Sequence, residues 1–205
     1  MNAAQMSRIE DAPHRGCLFI VSGPSGVGKS TLVQRLLKSK QRLRFSVSYT
    51  TRPKRPQEVE GKHYHFVDAA QFERMIAQDA FLEYAQYNGN WYGTPAAPVH
   101  RWMEEGHDVV LEIEVQGAQQ LRRKQAQLGI PMRFIFLLPP SFEQLKARIM
   151  ARGTEDETKQ EKRLKIAEVE LSQAGWFDVH IVNDQLDVAL RQLMEAVEPS
   201  TGTAA

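Results

Sequence analysis

Cysteine is almost absent: Cys17 is the only one in 205 residues. No disulfide can form within the chain, and a reducing compartment, the cytoplasm, is expected. Cys17 sits in an apolar run, which suits a small core residue better than a nucleophile. Long hydrophobic stretches are missing as well. No apolar run approaches the roughly 20 residues that a membrane helix needs. Met1 to Arg15 is mixed and polar, without the apolar block of a secretory leader. Neither sign of charge dominates, with 26 Lys+Arg against 25 Asp+Glu. That balance argues against a nucleic-acid surface or a polybasic membrane anchor. There is no internal repeat and no low-complexity tract. His63, His65, His100, His107 and His180 fall in no metal-ligand spacing, so no chemistry is assigned to them. The length suits one domain with a substantial core and room for an inserted lobe.

What the chain does have is Gly23-Pro24-Ser25-Gly26-Val27-Gly28-Lys29-Ser30. This is the spacing G-x-x-x-x-G-K-S of a phosphate-binding loop. The apolar run Cys17–Val21 before it reads as a buried strand. Leu32, Val33, Leu36 and Leu37 after it recur at helical spacing. Glycines let the backbone curl so that successive N–H groups point inward at phosphate oxygens. The helix that starts near Gly28 adds free N–H groups and its positive dipole end. In this pattern Lys29 reaches the β- and γ-phosphates and the Ser30 hydroxyl reaches Mg²⁺. A glycine-rich turn with a chance Lys-Ser is the bland alternative, and the flanking strand and helix weigh against it.

Residues 1–15 read as a tail, and the first helix runs to about Lys40. Phe45–Ser48 alternates and is predicted to be a strand. Tyr49 to Pro56 is basic with two prolines, hence an ordered loop; its flanking hydroxyls favour an anion site over a merely solvated one. Tyr64–Val67 reads as a strand, and Asp68 as the cap of a helix carrying Phe72, Met75 and Ile76. Phe81–Tyr87, the turn Asn88-Gly89-Asn90 and Trp91-Tyr92-Gly93 read as a hairpin. The strand-rich, aromatic region of about 48–94 is taken as an inserted lobe.

Thr94 is predicted to cap the next helix, with Pro95 at its first position. Asp108–Glu114 reads as a buried strand ending in acids, Val115–Gln127 as a helix and Arg133–Leu138 as another strand. Ser141-x-x-Gln144 resembles a capping box for a helix to about Arg152. A polar break follows, then a long helix from about Thr158 to Ala174 and a last strand, Val179–Val182. Asn183 is predicted to cap the final helix, and 199–205 is a tail. Strands alternating with helices predict an α/β fold with a parallel sheet flanked by helices, its ligands at the carboxyl ends of the strands.

Ser22–Thr31, Ser46–Arg52, Gly61–Tyr64, Phe81–Ala85, Gly89–Thr94, Leu111–Gly117, Arg148-x-x-x-Arg152-Gly153-Thr154 and Ile181–Asp184 together carry a resemblance to the guanylate kinase family of P-loop nucleoside monophosphate kinases. It covers about residues 16–198, in order and at the family's spacing. It implies transfer of the γ-phosphoryl group of ATP to GMP, with dGMP as a second acceptor, using Mg²⁺. ATP and GMP are the implied partners. Neither nucleic acid nor membrane is implied, and oligomeric state is not given.

Carried over by position, the resemblance implies that Gly23 to Thr31, Arg148, Arg152 and Asn183 bind ATP. Arg52, Arg55, Tyr64 and Tyr92 would hold the GMP phosphate, which suits forked cationic donors and hydroxyls. Ser48, Glu83, Thr94 and Glu114 would line guanine, with Glu112 at the strand end; whether Glu112 meets Mg²⁺ or GMP is open. Lys29, Arg52, Arg148 and Arg163 would be catalytic, and a lid at about 140–158 would close. Simpler roles exist: core aromatics for Tyr64 and Tyr92, a surface acid for Glu83, helix caps for Thr94 and Asn183, a solvated helix face for Arg148. Glu114 departs from the Asp often found at its position. The competing class is a non-catalytic guanylate kinase-like phosphopeptide-binding module, which typically lacks a complete phosphate loop.

Overall fold

The computed structural model describes residues 16–40, 42–151 and 157–198. The expected tails 1–15 and 199–205, Arg152, and most of the break after it lie outside these residues. Among the described residues, strands β1 (Leu18–Ser22), β2 (Leu43–Phe45), β7 (Asp108–Glu112), β8 (Met132–Leu138) and β9 (Val179–Val182) form one sheet, in the order β2-β7-β1-β8-β9. Every pairing in it is parallel. Both faces are covered, which explains the unbroken apolar runs of its strands.

Successive side chains leave a strand on opposite faces, and the core divides accordingly. Phe19, Val21, Val110, Ile135 and Leu137 pack with Leu32, Val33 and Leu36 of helix α1 (Lys29–Ser39). Leu18, Ile20, Leu111, Phe134 and Phe136 pack on the other face with helix α4 (Val115–Leu128) through Val115, Ala118 and Leu121. Helix α7 (Leu186–Ala196) joins the α1 side, where Ala189 and Leu193 are fully buried. Helices α5 (Phe142–Ala151) and α6 (Glu157–Ser172) precede β9.

A second sheet, β4-β3-β6-β5, is made of β3 (Tyr49–Thr50), β4 (His65–Phe66), β5 (Phe81–Tyr87) and β6 (Asn90–Pro95). The Asn88-Gly89 turn has φ values of 48° and 80°, the left-handed pair that a tight hairpin requires. Helix α2 (Ala69–Ala77) is capped as expected, with the Gln71 amide donating to Asp68 Oδ1 at 2.6 Å. It buries Phe72, whose ring stacks on Phe81 at 4.6 Å between centroids. Edge strand β5 is held from outside by α4. Gln120 donates to the Tyr84 carbonyl at 2.6 Å, and Lys124 donates to the Leu82 carbonyl at 3.2 Å. The unpaired edge is thereby covered.

Three local expectations need correction. Phe45–Ser48 is not one strand. Phe45 ends β2 in the first sheet, Tyr49 begins β3 in the second, and residues 46–48 cross between them. Alternation persists across the crossing because Ser46 is buried and its neighbours are half-buried. Thr94 does not cap helix α3 (Ala96–Glu104); it lies in β6, and Pro95 stands at the cap without a side-chain bond. Its hydroxyl is committed to Glu83 instead. Asn183 does not cap α7 either: Gln185 occupies that position, and the Asn183 side chain turns into the phosphate loop.

Candidate active site

The site forms at the carboxyl ends of β1 and β7. The loop 23–28 leaves β1 and feeds α1. Gly28 has φ 100°, and a Cβ there would lie 2.5 Å from Asn183 Nδ2, so glycine is required on two grounds. Asn183 Nδ2 donates to the Val27 carbonyl at 2.7 Å, and the Val27 side chain is fully buried. These contacts hold the loop's far side. Leu32 is bonded back to Gly28, so the amides of Lys29, Ser30 and Thr31 precede the helical ladder and lie at the positive dipole end.

Lys29 is only 8% exposed. Its ammonium donates to the carbonyls of Gly23 at 2.6 Å and Pro24 at 3.4 Å, and lies 3.8 Å from Glu114 Oε2. Its charge is thus held over the loop. The Ser30 hydroxyl donates to Glu112 Oε1 at 2.5 Å. Burial pushes the Glu112 carboxyl above the usual range, against the Ser30 bond and the nearby Lys29 charge.

A cleft opens beside the loop. Ser48, Tyr64, Glu83, Tyr92, Glu112, Glu114 and Gly117 form its walls. Glu83 is 4% exposed although β5 is an edge strand, which removes the reading as a surface acid. Thr94 donates its hydroxyl to Glu83 Oε1 at 2.5 Å. Burial pushes the Glu83 carboxyl up to about 7, with the Thr94 bonds and Lys124 opposing. Near neutral pH it therefore sits on the edge of ionisation. Tyr64 and Tyr92 meet edge to face at 5.8 Å on the cleft wall.

Arg52 and Arg55 do not line the cleft. Arg52 makes a forked pair with Glu58, 2.7 and 3.0 Å, and the Arg55 amide donates to the same carboxylate at 2.8 Å. Burial works against the Glu58 charge, but these bonds and the two arginine charges hold its carboxyl below the usual range. The Arg52 guanidinium lies 5.5 Å from the ring centre of Tyr64, a residue of the cleft wall. Arg148 donates to the Asn183 carbonyl at 3.2 and 3.3 Å, which turns it from the solvated helix face toward the loop's support. Arg163 donates to Ser25 Oγ at 2.8 Å.

Sequence reasoning missed Glu170. On α6 it is 6% exposed, and burial, then the neighbouring Glu114, push its carboxyl up to about 8. The Ser25 backbone amide lies against it. The exposed Val169 beside it hides this position in the sequence pattern.

The guanylate kinase family profile matches residues 15–200. The chain belongs to the guanylate kinase family. Relatives named guanylate kinase include those of Carboxydothermus hydrogenoformans, 46% identical over 90% of this chain and 88% of that one, Thermus thermophilus, 48% over 88% and 80%, and Neisseria gonorrhoeae, 48% over 91% and 89%. The crystal structure of the guanylate kinase from Anaplasma phagocytophilum matches with a TM-score of 0.75 at 30% identity, covering 90% of this chain and 85% of that one. The chain is an ATP:GMP phosphotransferase, and its P-loop kinase fold is the one this guanylate kinase shares. None of the described helices is long and apolar enough to cross a membrane.

Proposed function

We propose that the cleft between the two sheets takes GMP and the loop takes ATP, and that each residue acts as follows. The reading is carried by one observation: a phosphate loop and a buried acid-lined cleft share the Glu112–Glu114 strand end. Glu83 accepts the two adjacent guanine donors, N1–H and N2–H₂, and Ser48 donates to O6. Binding those donors favours the ionised carboxylate over the neutral form that burial favours. Thr94 orients Glu83, and Glu114 completes the base wall. Arg52, Arg55, Tyr64 and Tyr92 close on the GMP phosphate, Arg52 by leaving Glu58 for a stronger anion.

Lys29 shifts from the Gly23 carbonyl to the β- and γ-phosphates, while the loop amides between Gly23 and Thr31, Pro24 having none to offer and Val27 donating to the Pro24 carbonyl, bond their oxygens. Ser30 and Glu112 present a hydroxyl and a carboxylate together, an oxygen-only pair suited to Mg²⁺, which keeps water and substrate phosphate as its other ligands. When bound, that ion would offset charge on the transferring phosphoryl group. The phosphate oxygen of GMP attacks in line, and Arg148, Arg152 and Arg163 stabilise the equatorial oxygens. Asn183 supports the loop beside the adenine side. No nucleophilic side chain is needed, because positioning and charge supply the rate. The second sheet (about 48–94) and a lid (about 140–158) close to exclude water. A cytoplasmic location is supported by the single cysteine.

ADP release from ATP, measured with GMP, dGMP, AMP, CMP and UMP as acceptors, tests this in wild type, Glu83→Gln and Ser48→Ala. GMP should exceed AMP by at least about 10³-fold in kcat/KM, since adenine leaves Glu83 facing a lone pair. Glu83→Gln should lose most GMP activity and Ser48→Ala less. A phosphopeptide-binding module would release no ADP with any acceptor.

A further inference from the structure

Gly117 stands third in α4 and shares a wall of the cleft with Glu83. A glycine there is not demanded by its backbone, which is helical, and helices disfavour glycine relative to alanine. The demand comes from proximity. A Cβ on Gly117 would lie 2.1 Å from Glu83 Oε2 and 2.8 Å from its carboxyl carbon. Ordinary contact begins at 3.4 Å, so the carboxyl would have to retreat by about 1 Å.

The rest of Glu83 is held. Oε1 is fixed by the Thr94 hydroxyl at 2.5 Å, and Thr94 is itself fully buried in β6. Strand β5 is tied to α4 by Gln120 and Lys124, so the strand cannot slide away from the helix. The side chain has one seat, and the missing Cβ of Gly117 makes that seat.

We propose that Gly117 is a positioning residue for base recognition: its bare Cα sets the depth and angle at which Glu83 presents its second oxygen to the acceptor base. The inference rests on the reading of Glu83 as the base acceptor. A carboxylate displaced by about 1 Å can cost on the order of 10²-fold when the geometry matters. Because an added Cβ at Gly117 meets Glu83 on the cleft wall, the loss should fall on GMP and spare ATP.

The test compares wild type, Gly117→Ala, Glu83→Gln, Glu83→Asp and the double variant Gly117→Ala/Glu83→Asp. Readouts are KM and kcat for GMP, calorimetric GMP affinity, binding of a non-hydrolysable ATP analogue, and thermal midpoint. Gly117→Ala should raise KM for GMP by roughly ten- to a hundredfold. It should leave kcat and ATP-analogue affinity within about threefold, and the midpoint should not fall. The double variant, with one methylene fewer behind the carboxylate, should recover about tenfold or more in GMP kcat/KM over Gly117→Ala. If Glu83→Gln keeps GMP activity within about threefold of wild type, Glu83 is not the base acceptor and the inference falls with that reading. If Glu83→Gln collapses GMP activity while Gly117→Ala behaves like wild type, the base reading stands and the role of Gly117 is overturned. A Gly117→Ala variant that loses thermal midpoint and both affinities together, without rescue in the double variant, marks a merely structural glycine and also overturns it.

Discussion

The Lys29 charge is satisfied by two loop carbonyls and Glu114. An incoming triphosphate offers a far stronger partner at the same place. Lys29→Ala is expected to reduce kcat by about 10²-fold or more, the size of losing a transition-state donor. GMP affinity should stay within about threefold, because the cleft walls do not include Lys29. Loss of GMP binding as well, seen by calorimetry, would show that the two sites are not separable. Glu170 offers a pH test. Its folded value is raised to about 8 from an ordinary 4.5. Between those values the folded chain keeps a proton that the unfolded chain has released. Its contribution is therefore intact below the lower value, declines as pH rises through the window, and is flat above it. Denaturation of wild type and Glu170→Gln from pH 4 to 9 should show the variant gaining relative stability as pH rises. A constant difference would rule out the buried proton.

Helix α2 and the β5–β6 hairpin form a small apolar unit. Phe72 is fully buried, stacked on Phe81 at 4.6 Å and on Trp91 at 5.9 Å. Phe72→Ala should cost about 3–5 kcal/mol in urea unfolding, unless the unit opens apart from the core, in which case two transitions appear. Elements of this kind were mostly legible in the sequence. Strands β1, β7 and β8 announced themselves as apolar runs because both sheet faces are covered. Asp68 announced a helix start because its side chain has a local task. Two misreadings and one omission share a cause: Thr94 and Asn183, read as helix caps, and Glu170, not read at all, have partners 11, 156 and 145 residues away along the chain. A polar residue next to a helix looks like a cap until its distant partner is known. The motif residues of the loop were legible because glycine's backbone task is local. The forked Arg52–Glu58 pair was not foreseen, although only six residues separate the partners. Two prolines lie between them, and no helical or strand period applies there.

Two sheets meeting at one cleft predict closure as the step that couples the substrates. Arg52 is parked on Glu58, and Arg148 and Arg163 are parked on Asn183 and Ser25. If phosphates draw these cations in, the second sheet, α5 and α6 are expected to move toward the loop. Small-angle scattering should show a smaller radius of gyration with GMP and a non-hydrolysable ATP analogue than without them. An unchanged profile would count against a closing enzyme while leaving nucleotide binding intact.

The crossing at residues 46–48 also bears on how the chain finds its fold. Leu43 pairs with Asp108, so the whole second sheet is an excursion between two neighbouring strands. The pairing of β5 with β6 is local, and such hairpins form in about 1–10 μs. The parallel pairings of β1 with β7 and β8 join segments roughly ninety and more residues apart, the kind of contact that makes folding slow. A hairpin that condenses early shortens the free loop that β2 and β7 must close, and loop entropy grows with free length. The second sheet would thus serve the nascent chain as a spacer, shortening the search before the central sheet exists.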